Sequence, residues 1–253
     1  MSTEEILLRV FWIVDENMAD VKKRADAHLY PSEIVTIGLM FALKGGKYRR
    51  FYRWLVENYG HWFPKMPEQS RLHRLLRDDR RCTDRFLKKP SFFTVIDTFG
   101  IERIHPRREG RSDQQIGRKG LSNGRWIVGI KLAWLVNDTG EVIDWRWETA
   151  NEPDNIFREL ATQVDGETIA LSDLGFRQKD APQQHLKYCE KGAWNERYQI
   201  ESCFNVVDGV FHSKKVYHRE ENHLEARLEY IAALLNVLLM ITDGGFSFTQ
   251  FVL

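Results

Sequence analysis

The sequence is poor in the residues that staple small scaffolds together. Its 253 residues include three cysteines, Cys82, Cys189 and Cys203. An odd set with no C-x-x-C pair excludes a disulfide framework and a zinc ribbon, and suits a reducing compartment. Long apolar runs are also missing. The stretch Tyr230 to Thr242 (YIAALLNVLLMIT) is too short to span a bilayer and carries Asn236 inside it. The opening MSTEEILLRV lacks the basic segment, apolar core and small-residue site of an export signal. No G-x-x-x-x-G-K-[ST] or G-x-G-x-x-G motif occurs, which disfavours P-loop and dinucleotide-binding chemistry. With 43% hydrophobic and 12% aromatic residues, wholesale disorder is excluded too. The expectation is a cytoplasmic globular protein without a membrane partner.

An excess of one charge is absent overall, with 37 Lys and Arg against 36 Asp and Glu, but the balance is uneven along the chain. From Arg71 to Lys131 there are sixteen basic and seven acidic residues, a local +9 that leaves −8 for the remainder. Dense local Lys and Arg suit a polyanion, because phosphate contacts follow local basic density. A solvated face neutralised by the fold explains the same count equally well.

The first third reads as helical. Pro31-Ser32 opens a dense apolar run that Gly45-Gly46 stops. The run Tyr48 to Tyr59 interleaves aromatics with arginines, and Gly60 is its expected end. Ser70 is placed to cap an Arg-rich helix, on which Leu72, Leu75 and Leu76 form one side and Arg74, Arg77 and Arg81 another. Short helices with a basic face suit a helical DNA-binding module or a plain bundle. At Pro90 the pattern turns extended. SFFTVI reads as a short strand ending in Asp97, followed by a basic loop from Ile101 to Asn123. RWIVGIKLAWLV and EVIDWRWET flank the turn Asn137 to Gly140 and predict a hairpin. Its tryptophans, Trp126, Trp134, Trp145 and Trp147, read as core and interface anchors. A helix over Asn155 to Val164, a strand TIALS ending in Asp173 and a strand near Leu186 to Cys189 follow. Two closing helices complete the order, Trp194 to about Phe211 and Leu224 to Met240.

Three carboxylates carry the chemistry. Asp97 and Asp173 each follow a buried strand, and Glu201 lies in a helix between core-facing Ile200 and Phe204. A half-dehydrated carboxylate needs a cation or a donor to stay ionised. If the two strands are neighbours and the helix packs over them, a cluster of charge −3 results. Magnesium relieves that repulsion while keeping positions for water and phosphate. Two ions about 3.5–4 Å apart would clamp the attacking and leaving oxygens of a phosphodiester exchange. Taken singly, Asp97 could cap a turn, Asp173 could form an Asx-turn, and Glu201 could pair with Arg197 one turn earlier. Their order along the chain is what favours a joint role. His212, His218 and His223 lack H-E-x-x-H spacing and read as scattered surface histidines, and Cys203 as a buried structural thiol.

That order, with its surrounding letters, resembles the DDE transposases of bacterial insertion sequences. The likeness runs from about Ser91 to Leu239. VIDTFGIE holds the first Asp, RKGLSNGRWIVGIKL the basic loop and G-x-K strand, TANEPDN the polar turn, and SDLGF the second Asp. Trp194, Arg197 and Glu201 in WNERYQIESCFN match the family's helix signature. The chain departs from the family in having Trp194 in place of Tyr. It also has Asp208 where a Lys is usual, the nearest lysines being Lys214 and Lys215. Only 27 residues separate Asp173 from Glu201, too few for the insertion domain that some relatives carry.

The resemblance implies an α/β fold: a ribonuclease H-like mixed sheet with flanking helices over residues 90–253, preceded by an all-helical DNA-binding region over 1–89. It implies a transposase that cuts the ends of its element and joins them to target DNA. Asp97, Asp173 and Glu201 would hold two Mg²⁺ ions, or Mn²⁺. Arg197 would orient Glu201 or hold a phosphate, and Trp194 would stack on a displaced base. Arg125, Lys131, Lys214 and Lys215 are candidate phosphate contacts, and Arg74, Arg77 and Arg81 would track the terminal repeats. Expected partners are double-stranded DNA, as terminal inverted repeats and target, and a second copy of the chain in a homodimer. The setting would be the bacterial cytoplasm, at the nucleoid. The alternatives are a nuclease or resolvase of the same fold, and a transposase-derived DNA-binding protein that no longer cuts.

Overall fold

The computed structural model describes residues 2–122, 124–164, 166–177, 186–189 and 197–245, the side chain of Arg197 excepted. The chain forms two compact units: residues up to Phe86 together with those from Val207 onward, and Leu87–Val206. The first boundary lies beside the one expected at 89/90. From Val207 the chain clusters with the helical unit, whereas the sequence reading assigns that segment to the sheet domain.

The helical unit contains α1 (Thr3–Asn17), α2 (Pro31–Lys44), α3 (Tyr48–Tyr59), α4 (Gln69–Asp78) and α7 (Glu221–Ile241), with a 3₁₀ segment over Arg80–Phe86. A reciprocal capping box starts α1, where the Ser2 N–H donates to Glu5 Oε2 at 2.7 Å and the Glu5 N–H to Ser2 Oγ at 3.2 Å. The centre of this unit is the packing of α2 against α7, both buried along most of their length. Gly38 makes it possible, because a β-carbon there would collide with the Tyr230 ring. Arg227 is fully buried and donates to the Phe41 and Ala42 carbonyls in the last turn of α2, with its guanidinium 4.1 Å from the Phe41 ring centre. Asn236, the polar interruption in the apolar run, donates to the Phe86 carbonyl at 2.8 Å.

Two local readings change here. Ser70 does not cap α4; Glu68 precedes the helix and Ser70 sits in its first turn, donating to Glu68 Oε1 at 3.0 Å. Gly60 keeps right-handed helical angles and leads into a 3₁₀ turn, so it tightens the end of α3 without reversing the chain.

The second unit is a six-stranded mixed sheet. Its strands are β1 (Phe93–Ile104), β2 (Arg118–Ser122), β3 (Arg125–Asn137), β4 (Val142–Thr149), β5 (Ile169–Ser172) and β6 (Leu186–Tyr188). β3 lies antiparallel to β1, and its other edge is shared by β2 and β4. β5 and β6 continue the sheet parallel to β1 on the far side. The expected hairpin is β3–β4. Asn137 Oδ1 accepts from the Thr139 and Glu141 N–H groups, and Gly140 takes the positive φ of 82° that closes the turn. One sheet face packs Ile96, Ala133, Leu135 and Ala170 against Phe157, Leu160 and Ala161 of a 3₁₀ turn (Asp154–Phe157) and α5 (Arg158–Thr162). The opposite face meets α6 (Arg197–Gly209) through Phe204, whose ring lies 5.3 Å from Phe99 and 5.5 Å from Trp134. Cys203 is a buried thiol, as expected; its Sγ lies 3.2 Å from the Gly140 carbonyl, and burial raises its pKa.

The strand expected to stop at Asp97 continues to Ile104. Phe99 and Ile101 keep the alternation of SFFTVI going and pair opposite Leu132 and Ile130, which overrides the low strand propensity of Asp97. The loop expected over Ile101 to Asn123 accordingly holds the end of β1 and the strand β2. Arg118, Lys119 and Gly120 give β2 no strand signature. Gly120 is needed because a β-carbon there would run into the Ala150 carbonyl.

Candidate functional site

The parallel pairing of β1 with β5 ends at Val95 opposite Leu171. Two residues further along each chain are Asp97 and Asp173, level with one another and on the same side by strand alternation. Adjacent strands lie about 4.8 Å apart, so the register leaves the two residues at the same level of neighbouring chain segments. Asp97 is half-buried, and its Oδ1 accepts the Thr98 N–H at 2.7 Å. Asp173 caps the 3₁₀ turn Leu174–Phe176, its Oδ1 accepting the Gly175 N–H at 2.9 Å.

Glu201 is exposed on α6, one turn before Phe204. Trp134, which Phe204 touches, is the residue paired directly across from Asp97, so α6 lies on the Asp97 face of the sheet. The Trp134 indole N–H is buried and finds no hydrogen-bond partner among the described residues. No three His, Cys, Asp or Glu side chains gather closely enough among the described residues to hold a metal ion. Asp97 and Asp173 fit a hard, oxygen-seeking cation by donor type and placement. Glu201 lies exposed on the helix that packs over the Asp97 face and is not gathered with them.

Lys131 has a different environment from a phosphate contact. It is buried, and its ammonium donates to the Glu152 carbonyl at 2.7 Å and to Asp154 Oδ1 at 2.9 Å. Asp154 Oδ1 also accepts from the Thr98 hydroxyl at 3.0 Å. At Gly175, a β-carbon would meet Asp173 Oδ1 at 3.0 Å and Asp154 Oδ2 at 3.2 Å. Asp154 therefore borders the neighbours of both strand carboxylates, and it joins the G-x-K strand to the TANEPDN turn. The sequence reading takes Pro153-Asp154 only as a helix start. A carboxylate in a turn opposite an inward-pointing Lys on a buried strand is the signal that identifies it.

The remaining basic candidates divide. Arg125 is exposed, 3.6 Å from Glu102. Arg74 and Arg81 are exposed, the latter in the 3₁₀ segment beyond α4, while Arg77 is held by Asp78 at 2.8 Å. Arg80, absent from the expected set, is anchored to Glu225 and Glu229 of α7, and Arg85 to Asp20. Part of the basic run is thus neutralised within the helical unit. Lys214 pairs with Asp208 at 2.7 Å, the acid that stands in the family's Lys position, and Lys215 is half-buried. Trp194 and the side chain of Arg197 lie outside the described residues.

Two of the histidines are not scattered. His223 stacks on His73 at 3.7 Å, with their planes 1° apart, and His218 lies 6.0 Å from His73. Of the hairpin tryptophans, Trp134 is core, Trp145 and Trp147 are half-buried, and Trp126 is exposed. No helix among the described residues is long and apolar enough to cross a membrane. Comparison with protein-family models, curated proteins and solved structures finds no match for the chain.

Proposed function

We propose that the chain is a DDE-type DNA transposase with a ribonuclease H-like catalytic sheet, which cleaves the ends of its element and joins them to target DNA. The observation that carries the reading is the β1–β5 register, which sets Asp97 level with Asp173 beneath a helix bearing Glu201. The antiparallel hairpin on one side of β1 and the parallel strands on the other support the fold assignment. Asp97, Asp173 and Glu201 would hold two Mg²⁺ or Mn²⁺ ions. Bound there, such ions supply an acidified water and offset charge on the phosphodiester oxygens.

The chain's own residues do the positioning. Trp134, Phe99 and Phe204 exclude water from one side of Asp97. Lys131 holds Asp154, which accepts from Thr98 beside Asp97 on β1 and borders Gly175 in the turn after Asp173. Arg197, four residues before Glu201 in the sequence, would orient that carboxylate or hold a phosphate, as the resemblance implies. Arg125, Arg74 and Arg81 offer outward charge to double-stranded DNA, and two chains would pair two element ends at the nucleoid. One feature favours a DNA-binding descendant that no longer cuts: Asp208 replaces the family's Lys and neutralises Lys214.

Incubating the protein with labelled element ends separates these readings. Nicking at the ends with Mg²⁺ or Mn²⁺, abolished by EDTA and by Asp173→Asn, is the expected result. Salt-sensitive binding without cutting in either metal would establish the inactive descendant, and cutting without joined products a nuclease of the same fold.

A further inference from the structure

The stretch Lys44 to Arg53 (KGGKYRRFYR) carries five cations and no acid, and the chemistry proposed at Asp97 and Asp173 does not use it. It forms the corner between α2 and α3, where Gly45 and Gly46 both take positive φ. A β-carbon on Gly45 would run into the Phe211 carbonyl, so the segment ahead of α7 packs on this corner and sets Tyr217 beside it. The result is a cleft of about 290 Å³ lined by Lys44, Lys47, Arg50 and Tyr217, all within the helical unit. Gly46 also lines it, and a β-carbon there would meet nothing within 4 Å.

Among the described residues, none of the three cations has an acid partner. The Lys44 ammonium lies 4.9 Å from the Trp54 ring centre and the Lys47 ammonium 5.4 Å from that of Tyr217. An aromatic face holds a cation in place without cancelling its charge. The start of α3 adds to the excess. Lys47 is its N-cap, Arg50 sits in its first turn, and no acid stands there. A helix start is the positive end of the helix dipole and ordinarily holds acids, so these cations repel it and one another. Elsewhere in the same unit the fold matches its cations: Arg77 with Asp78, Arg80 with Glu225 and Glu229, Arg85 with Asp20. The corner is left for an anion from outside.

A second cleft, of about 260 Å³, shares Gly46 and Tyr217 with the first and reaches the stacked His73 and His223. Arg219 lines it without an acid partner among the described residues, while Glu220 is turned to His223 at 3.6 Å. The two clefts adjoin and neither is enclosed, which suits a chain of phosphates better than a single small anion.

We infer that this corner is where the helical unit grips double-stranded DNA, with a backbone phosphate seated between Lys44, Lys47 and Arg50. The choice of DNA rests on the transposase reading, and the contact is separate from Arg74 and Arg81. Phosphate contacts position a duplex without reading its sequence, so the grip is independent of sequence.

The full-length protein is titrated by fluorescence anisotropy against a labelled duplex of arbitrary sequence across a salt series. Lys47→Gln with Arg50→Gln should weaken binding about tenfold and lower the salt slope by about two. Lys47→Arg with Arg50→Lys keeps the charge and should bind within about threefold of wild type. Arg9→Gln with Lys22→Gln removes equal charge from exposed positions elsewhere on the unit and should stay within about twofold. The Lys47→Gln, Arg50→Gln protein should unfold at no lower temperature than wild type, because its substitutions relieve repulsion at a helix start. Wild-type affinity in that protein, an equal loss in the Arg9 and Lys22 variant, or no binding by wild type would overturn the inference. So would tight wild-type binding of inorganic phosphate that the Lys47 and Arg50 variant loses while keeping the duplex, which would assign the cleft to free phosphate. Metal-dependent cleavage of element ends is scored separately with the wild-type protein. Cleavage alongside duplex binding that ignores the cleft fails only this inference; cleft-dependent binding without cleavage fails only the catalytic reading.

Discussion

Lys131 shows how a motif letter acquires its physical meaning from a partner far along the chain. The resemblance marks it as basic and therefore as a phosphate contact. The structure buries it against Asp154 and the Glu152 carbonyl, where the charge is needed internally. Removing the carboxylate would strand a buried ammonium, so Asp154→Asn should destabilise the protein by on the order of 2 kcal/mol, discounted for the partial exposure of Asp154. Lys131→Met in that background should recover part of the loss, as read by denaturant unfolding of the cycle. Strict additivity of the two substitutions would contradict the pairing. Asp97 and Asp173 were legible in the sequence because an acid after a short apolar run is a local signal. Asp154 was not, because its significance lies in Thr98, Lys131 and Gly175, which only the tertiary fold brings to it.

Among elements, those with dense apolar periodicity were legible: α2, α7, and the β3–β4 hairpin with its turn. Pairing decided the others. β1 extends past Asp97 because β3 runs alongside it, and β2 forms from an unpromising basic segment because β3 offers an edge. The Arg-rich helix breaks at Asp79 into a 3₁₀ segment, where Arg80 turns inward to Glu225 and Glu229. Burial raises the Glu229 pKa to about 7 against the opposing pull of Arg80.

The histidine stack is a further product of helix packing, with His73 on α4, His223 on α7 and Tyr48 of α3 on the other face of His73. Burial first, then the nearby His223 and Arg77, lower the His73 pKa to about 4, and burial lowers that of His223 while Glu220 opposes it. Both rings are neutral in the folded state at neutral pH. In the unfolded chain a histidine takes up its proton near pH 6.5, so between 6.5 and 4 the unfolded state binds more protons and stability falls as pH falls. The His73 contribution is on the order of 2 kcal/mol by pH 4. Unfolding free energies at stepped pH should decline less steeply for His73→Phe than for wild type over this window. Equal slopes would contradict the neutral stack.

At the scale of the whole molecule, linear charge is a poor guide to surface. The basic segment Arg71 to Lys131 is divided between the two units, and within it Arg77, Arg80, Arg85 and Lys131 are all held by acids. What stays outward beyond those pairs is Arg71, Arg74 and Arg81 on the helical unit, and Lys89, Arg107, Arg108, Arg111, Arg118, Lys119 and Arg125 on the sheet unit. The sheet unit, in contrast, depends on register. One pairing, Val95 with Leu171, sets the level of Asp97 and Asp173.

Counting bound Mn²⁺ by electron paramagnetic resonance tests that placement most directly, because it reads the carboxylates without requiring DNA or turnover. The account predicts saturable Mn²⁺ binding by the wild-type protein that is competed by Mg²⁺. Asp97→Asn and Asp173→Asn should each weaken it about tenfold or more, with thermal unfolding little changed. Wild-type protein that binds no Mn²⁺ up to millimolar concentration, or binding that both variants retain in full, would contradict it.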